Sequence, residues 1–433
     1  ATTQNPMVIV IVSLIIGFLK MIITIELFLP LMVMLGNRGV FYGVFYTFVL
    51  VLNQITAYYA VEISILYNYQ QFFIFAAVLC FVLALLCWVL MHDQYFALKV
   101  PLHYIDWLSI LLFVTTFMFS AYVFSFGKQQ DWFNSKNIIS ASIAAFVSFA
   151  LMAIRQLTLK RPYISFGIFT KSNVIHGLFM LLWLGMFLGT TSIQNIYSVG
   201  VLGYDQLTNA KLNLMMIPGI LLAGIVAVFW FKKEFPLKMF IFSGFASMTG
   251  FVIIMYFSMV LEFNYDNWYL PMFLKGFGMG SLFISIWFYA LDQLELNEML
   301  AAIGLVLVWR TFLAVGIFSA LFSWFQYQFQ ITSLGDSAVY MDGMTISPQT
   351  VVANMRTIQL NAIIAANKKI FGYVIIAGFG VMLYVITHHF GEKPKEYLRI
   401  VRILKGKSVI ARRRVRERKR LEEDLKGAAG PAI

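Results

Sequence analysis

The chain has 433 residues, 61% of them hydrophobic and only 12% charged, with a mean hydropathy of +0.81. A soluble domain is nearer half apolar and a quarter charged, so this balance excludes an ordinary water-soluble enzyme or binding module and points to a chain that works in a bilayer. The formal net charge is +12, but fourteen Lys/Arg against six Asp/Glu lie beyond residue 391, which places +8 of it in the last forty-two residues.

In chain order the apolar segments are 7–34, 40–66, 70–91, 105–126, 137–156, 174–198, 212–231, 236–260, 269–291, 299–325 and 370–390. Each is about 20 residues or longer, enough for ~30 Å of hydrocarbon. None alternates with period two, which excludes a barrel, and backbone groups in lipid must be satisfied within their own segment. The expected fold is therefore an all-α polytopic bundle with about eleven transmembrane helices. Cys80 and Cys87 share one apolar segment ~10 Å apart, too far for a disulfide, and read as small core residues.

Loop charges set the expected orientation. Alternate connections carry Arg38, then Lys99, then Arg155, Lys160, Arg161 and Lys171, then Lys232, Lys233 and Lys238, and finally the basic tail. The opposite set is poorer: Lys128, Lys136, Lys211, Arg356, Lys368 and Lys369. The richer side is expected to be cytoplasmic, with the carboxyl terminus inside and the amino terminus outside. An outside start with no initiator Met and no signal-peptide n-region suggests that further helices precede Ala1.

Two stretches carry a family resemblance. One runs from Gly127-Lys128-Gln129-Gln130-Asp131-Trp132-Phe133 to Arg161-Pro162-Tyr163-Ile164-Ser165-Phe166-Gly167-Ile168-Phe169. The other links Gln194, Val201-Leu202-Gly203-Tyr204, Ile217-Pro218-Gly219, Leu274-Lys275-Gly276-Phe277-Gly278-Met279-Gly280 and Trp309-Arg310. In order and spacing they resemble the fourteen-helix drug:proton antiporters of the major facilitator superfamily. The resemblance implies that three helices precede the first one here. It divides the chain into the rest of an N-terminal bundle (1–103), an inserted helix pair (104–158), a C-terminal bundle (159–391) with an outer loop (329–367), and a basic cytoplasmic tail (392–433). It also implies proton-coupled efflux of amphipathic small molecules from an inner cell membrane. One departure is plain: where that family carries a Gly-Pro-rich motif in its fifth helix, residues 53–58 read Asn-Gln-Ile-Thr-Ala-Tyr. That departure favours the alternative of a transporter-derived subunit serving as scaffold or partner anchor.

Charges deep in apolar sequence are the candidates for a pathway, because each costs ~3 kcal/mol at the bilayer centre and is kept for a cavity or a partner. Lys20 and Glu26 share the first segment, either for substrate and protons or as a structural ion pair. Glu62 lies near the outer end of its helix, where an interfacial carboxylate is the simpler reading. Lys275 and Arg310 are expected either to present positive charge to a central cavity or to balance Glu26; for Arg310 a packing role on backbone carbonyls stands beside these. Asn53, Gln54, Gln194 and Asn195 either line the pathway or bond between helices. The glycines at 276, 278 and 280 lie within a span with no strand before them, so close helix packing is expected rather than a nucleotide loop. Asp106 begins its helix and is expected to act at that terminus.

No nucleophile elbow, Walker loop or metal-ligand spacing occurs, so neither an enzyme nor a cofactor is expected. Adjacent His388 and His389 diverge by ~100° on a helix, and the other three histidines, His92, His103 and His176, are scattered near helix ends. The expected partners are the lipid bilayer, a small-molecule substrate and protons. A protein partner is open at 329–367, the longest connection, where Ser347-Pro348 offers a cap and a first-turn proline for a short amphipathic helix on the membrane or a partner, with an ordered loop as the equal alternative. The tail, rich in Arg around 412–420, suits anionic lipid or solvent, and no nucleic acid is expected.

Overall fold

The structure is a computed structural model that describes residues 6–34, 37–90, 106–159, 166–292, 294, 296–342, 348–388 and 390. Among them there is no strand, and ten helices are long and apolar enough to cross a membrane. The protein is an all-α polytopic membrane protein. The basic tail 392–433 lies outside the described residues.

The chain enters through α1 (Pro6–Met34), whose described apolar stretch Val8–Thr24 is shorter than the other spans. Helices α2 (Arg38–Leu66) and α3 (Tyr69–Leu90) follow; α2 starts where the Asn37 side chain accepts the Val40 amide, one of the donors a helix start leaves unpaired. Phe28 of α1 docks edge-on to Phe41 of α2 at 5.0 Å. Helix α3 has no buried residue. Cys80 and Cys87 are consequently exposed on it rather than small core residues: a helix apolar on all sides can turn every face to lipid without loss.

Helices α4 (Trp107–Phe126) and α5 (Lys136–Thr158) pack on each other as a pair. The turn between them is tight, with Asp131 and Trp132 in the left-handed region (φ 55° and 51°). The pair meets the rest of the molecule through Phe117 on Phe312 (4.9 Å) and Trp132 on Trp324 (5.4 Å), and Lys128 Nζ donates to the Ser323 carbonyl.

The core is built from α6 (Ser172–Asn195), α7 (Gln206–Leu214), α8 (Ile217–Lys232), α9 (Leu237–Ser258) and α10 (Tyr269–Leu291), with α2 packed against α7, α8 and α10. α7 and α8 form one span interrupted at Met215 and Met216, with Pro218 placed in the first turn of α8, where its missing N–H costs nothing. Helix α10 is the axis: most of its residues are buried, whereas α3 has none. Its glycines explain why. A Cβ on Gly276 would overlap the Met216 carbonyl and one on Gly219 the Phe273 carbonyl, so α8 and α10 touch backbone to backbone. Gly278 turns the other way, against Met248 and the Gly244 carbonyl of α9. The glycine repeat is thus a packing device on two faces.

Two π-helical segments interrupt the long helices. Ile196–Val201 continues α6, and Trp309–Ile317 joins α11 (Leu296–Val308) to α12 (Phe318–Asp342). The last helix, α13 (Pro348–Thr387), is 40 residues long. That is ~60 Å against ~30 Å of hydrocarbon, so α12 and α13 extend beyond the membrane as a packed antiparallel pair. The stretch 329–367, expected as a loop, is therefore helical except for 343–347, which are not described. Its helices need no apolar run once they leave the bilayer, and that is why hydropathy ends the spans too early. The proline does begin its helix, as a first-turn proline should.

Candidate functional site

Thr191 and Gln194 stand one turn apart on α6 and so share a face. Opposite them α10 projects Lys275. Its ammonium donates to Gln194 Oε1 at 2.8 Å and to Thr191 Oγ1 at 2.9 Å, and it lies 5.1 Å from the centre of the Phe251 ring of α9. Lys275 and Gln194 are each 2% exposed. The amide nitrogen of Gln194 turns to Met272 Sδ at 3.8 Å. Two of the residues picked out by sequence are thus direct partners, 81 positions apart in the chain. Among the described residues no carboxylate pairs with Lys275. It does not project into an open cavity; it is enclosed where α6, α9 and α10 meet.

Arg310 lies in the π-helical segment Trp309–Ile317, half-buried, with its guanidinium 4.6 Å from the centre of the Phe283 ring. Phe283 of α10 stacks on Tyr46 of α2 (6.3 Å, planes 10° apart), and Tyr46 meets Trp287 at 5.4 Å. This aromatic seam holds α2 against α10. It lies ~12 Å further along α10 than Lys275, so the two cations form separate stations.

The other candidates are placed as follows. Gln54 is buried in α2 while its neighbour Asn53 is exposed, as one step of 100° around a helix requires. Glu62, in the last turns of α2, accepts from the Tyr58 hydroxyl at 3.1 Å. Asn195 is exposed and joins a small network at the start of the first π-helical segment: Asn209 Nδ2 donates to it at 3.4 Å, and Ser198 Oγ donates to Asn209 at 2.7 Å. Lys20 is exposed on α1 and makes no ion pair among the described residues. Glu26 falls on α1, but its side chain lies outside the described ones, so the expected Lys20–Glu26 relationship does too.

Asp106 caps α4 by accepting from the Ser109 amide, and it also takes the Arg155 guanidinium of α5, with Nε 3.2 Å from both carboxylate oxygens and a terminal nitrogen at 2.9 Å. The Arg155 hydrogen bonds hold its carboxyl down at about 2, against an ordinary 3.8. This clasp closes one end of the helix pair.

Sequence reading missed three things. Thr191 could have been found from its i,i+3 spacing to Gln194. Tyr46 and Phe283 are ordinary aromatics in chain order and gave no signal. The third is a cluster joining α6, α10 and α13: His176 Nδ1 lies 2.6 Å from the Tyr384 hydroxyl, His388 Nε2 lies 3.1 Å from the Tyr289 hydroxyl, and the two imidazole centres are 4.0 Å apart. His176 and His388, far apart in sequence, are neighbours in space. Even so, no group of three or more His, Cys, Asp or Glu among the described residues could hold a metal. A groove of about 440 Å³ between α2 and α8, lined by Val44, Thr47, Phe48, Leu221 and Ile225, is apolar and open to the bilayer. The Thr47 hydroxyl is spent on the Gly43 carbonyl at 2.6 Å.

Set against known proteins, the chain matches no family model and no curated sequence.

Proposed function

We propose that the protein is a secondary transporter of major-facilitator type that moves amphipathic organic molecules across a cell membrane against protons, its basic end facing the cytoplasm. The observation that carries this reading is Lys275, a basic group enclosed by three helices with only neutral partners. Ionisable residues inside a membrane are expensive and are kept where charge or protons move. The neutral amine has two N–H groups, and the cradle supplies two oxygens, Thr191 Oγ1 and Gln194 Oε1. The ammonium has a third N–H, which meets only the face of Phe251. Gain or loss of one proton therefore changes what α6, α9 and α10 must provide to one another. A group of that kind can bias a bundle between two packings.

Two further observations support transport over passive scaffolding. Both stations sit at π-helical segments: Gln194 just before Ile196–Val201, Arg310 within Trp309–Ile317. Such segments break the regular ladder and recur at functional sites. The ordered motifs that resemble those of drug:proton antiporters support the same reading.

The test is accumulation of matched probes, dansylglycine (anionic) and dansylcholine (cationic), in proteoliposomes of the full chain under an imposed pH gradient. Protein-dependent accumulation of either one supports a transporter. No accumulation of either above protein-free vesicles would favour the scaffold reading.

A further inference from the structure

Helices α2 and α8 run antiparallel in a register that their glycines fix. A Cβ on Gly39 would overlap the Phe231 ring, one on Gly43 would stand 3.3 Å from Val228, and one on Gly224 would overlap the Thr47 side chain. The two backbones are close along this line, and the exposed side chains of Val44, Phe48, Leu221 and Ile225 stand beside it. Between them lies the apolar groove of about 440 Å³. The same register leads past the groove to a charged end. Lys232 follows Val228 by one turn and so continues the α8 face that carries Leu221, Ile225 and Val228. Lys233 Nζ lies 3.8 Å from the centre of the exposed Phe229 ring. Opposite, α2 begins with Arg38 at the same level. All three cations are exposed, and none makes an ion pair among the described residues. Of the acids nearby, Glu234 sits in the turn to α9, and Asp292 follows the end of α10.

Counted from the first residue of α2, the groove runs from ~8 Å at Gly43 to ~20 Å at Val51. That is the depth of one leaflet, whose share of the hydrocarbon is ~15 Å. We infer that the α2–α8 groove holds an acyl chain of an anionic phospholipid, whose phosphate rests against Lys232 and Lys233. A neutral lipid would leave the lysines without use, and a soluble anion would leave the groove empty. A second copy of the chain fits worse. Two copies in one membrane share an orientation, so a two-fold contact through this face would set lysine against lysine. The site needs only α2 and α8, and it holds whether or not the protein transports.

Native mass spectrometry tests this on the full chain, released from nanodiscs of equimolar phosphatidylglycerol and phosphatidylcholine. Wild type should retain one lipid per chain, phosphatidylglycerol at least ~5-fold over phosphatidylcholine, the worth of one lysine beside an anionic head. The double variant Lys232→Gln/Lys233→Gln should bring the two lipids to parity. Ile225 is 68% exposed, so the fold does not depend on it. Ile225→Trp should fill the groove and lose the retained lipid of both kinds while melting within a few degrees of wild type. Lys211→Gln, at the far end of the same span, should keep the wild-type preference. A wild type that retains no lipid or shows parity, or a preference that survives loss of both lysines, would overturn the inference. So would wild-type retention of phosphatidylglycerol by Ile225→Trp, because the lipid would then sit elsewhere. A dimer peak that Ile225→Trp removes would also overturn it and give the groove to a second copy.

Discussion

Lys275 Nζ stands 2.8 Å from Gln194 Oε1, both side chains 2% exposed, and this contact ties α10 to α6. The two residues are unequal in what their loss should do. Lys275→Met removes a buried basic group and fills its space with an apolar chain, a change that is often neutral or better. Gln194 and Thr191 each lose a donor, which costs about 1–3 kcal/mol for an unsatisfied buried group and roughly offsets the gain. Gln194→Leu instead leaves the amine with Thr191 alone and should destabilise by at least about 1–3 kcal/mol. Thermal unfolding of the purified variants should therefore place Lys275→Met within a few degrees of wild type and Gln194→Leu clearly below it. The reverse order would mean that Lys275 is there for stability.

Gly276 and Gly219 let α8 and α10 meet backbone to backbone. Gly276→Ala must push the helices apart, at about 1–3 kcal/mol as for other overpacked cores. Gly304 on α11 has nothing within 4 Å of an added Cβ. Gly304→Ala should be neutral or raise stability by about 0.5–1 kcal/mol through helix propensity. Melting temperatures of the two variants check this, and equal effects would refute the packing role.

The Asp106–Arg155 clasp gives a pH signature. The folded carboxyl is held below its ordinary value, at about 2 rather than 3.8. Its stabilisation is therefore complete above the unfolded value and fades as pH falls through that window. Because water reaches the Arg155 side of the pair, solvent screening keeps the contribution small. Melting curves from pH 5 down to 2.5 should show a loss in wild type that is smaller in Asp106→Asn. An identical slope in both would mean that the clasp contributes nothing.

Orientation is tested at the two ends of α9. In a background lacking Cys80 and Cys87, an impermeant maleimide added to intact cells should label Glu262→Cys and spare Lys233→Cys. Labelling only at position 233 would invert the whole topology.

Much of the scaffold was legible in sequence because lipid imposes a length and a composition on every crossing. The spans from residue 40 to 325 needed no tertiary information, and the glycines at 276, 278 and 280 declared their packing role by lying inside an apolar run. The extramembrane ends of α12 and α13 were not legible, because a helix in water against a partner helix needs no such run. Cys80 and Cys87 were misplaced because apolarity alone cannot separate a core-facing helix from a lipid-facing one. In the site, Lys275 and Gln194 each stood out as polar in an apolar setting, yet nothing local could pair residues 81 positions apart. Tyr46 and Phe283 carry no such mark in a chain with 43 Phe and 21 Tyr.

The coupling role of Lys275 is tested most directly by proton flux into pyranine-loaded proteoliposomes when a probe gradient is applied. Wild type is expected to move protons in response to dansylglycine or dansylcholine, and Lys275→Met, folded by its melting curve, to do so at least ~10-fold more slowly, a barrier change of ~1.4 kcal/mol. A Lys275→Met protein that moves protons as fast as wild type, or a wild type that moves none with either probe, would contradict it.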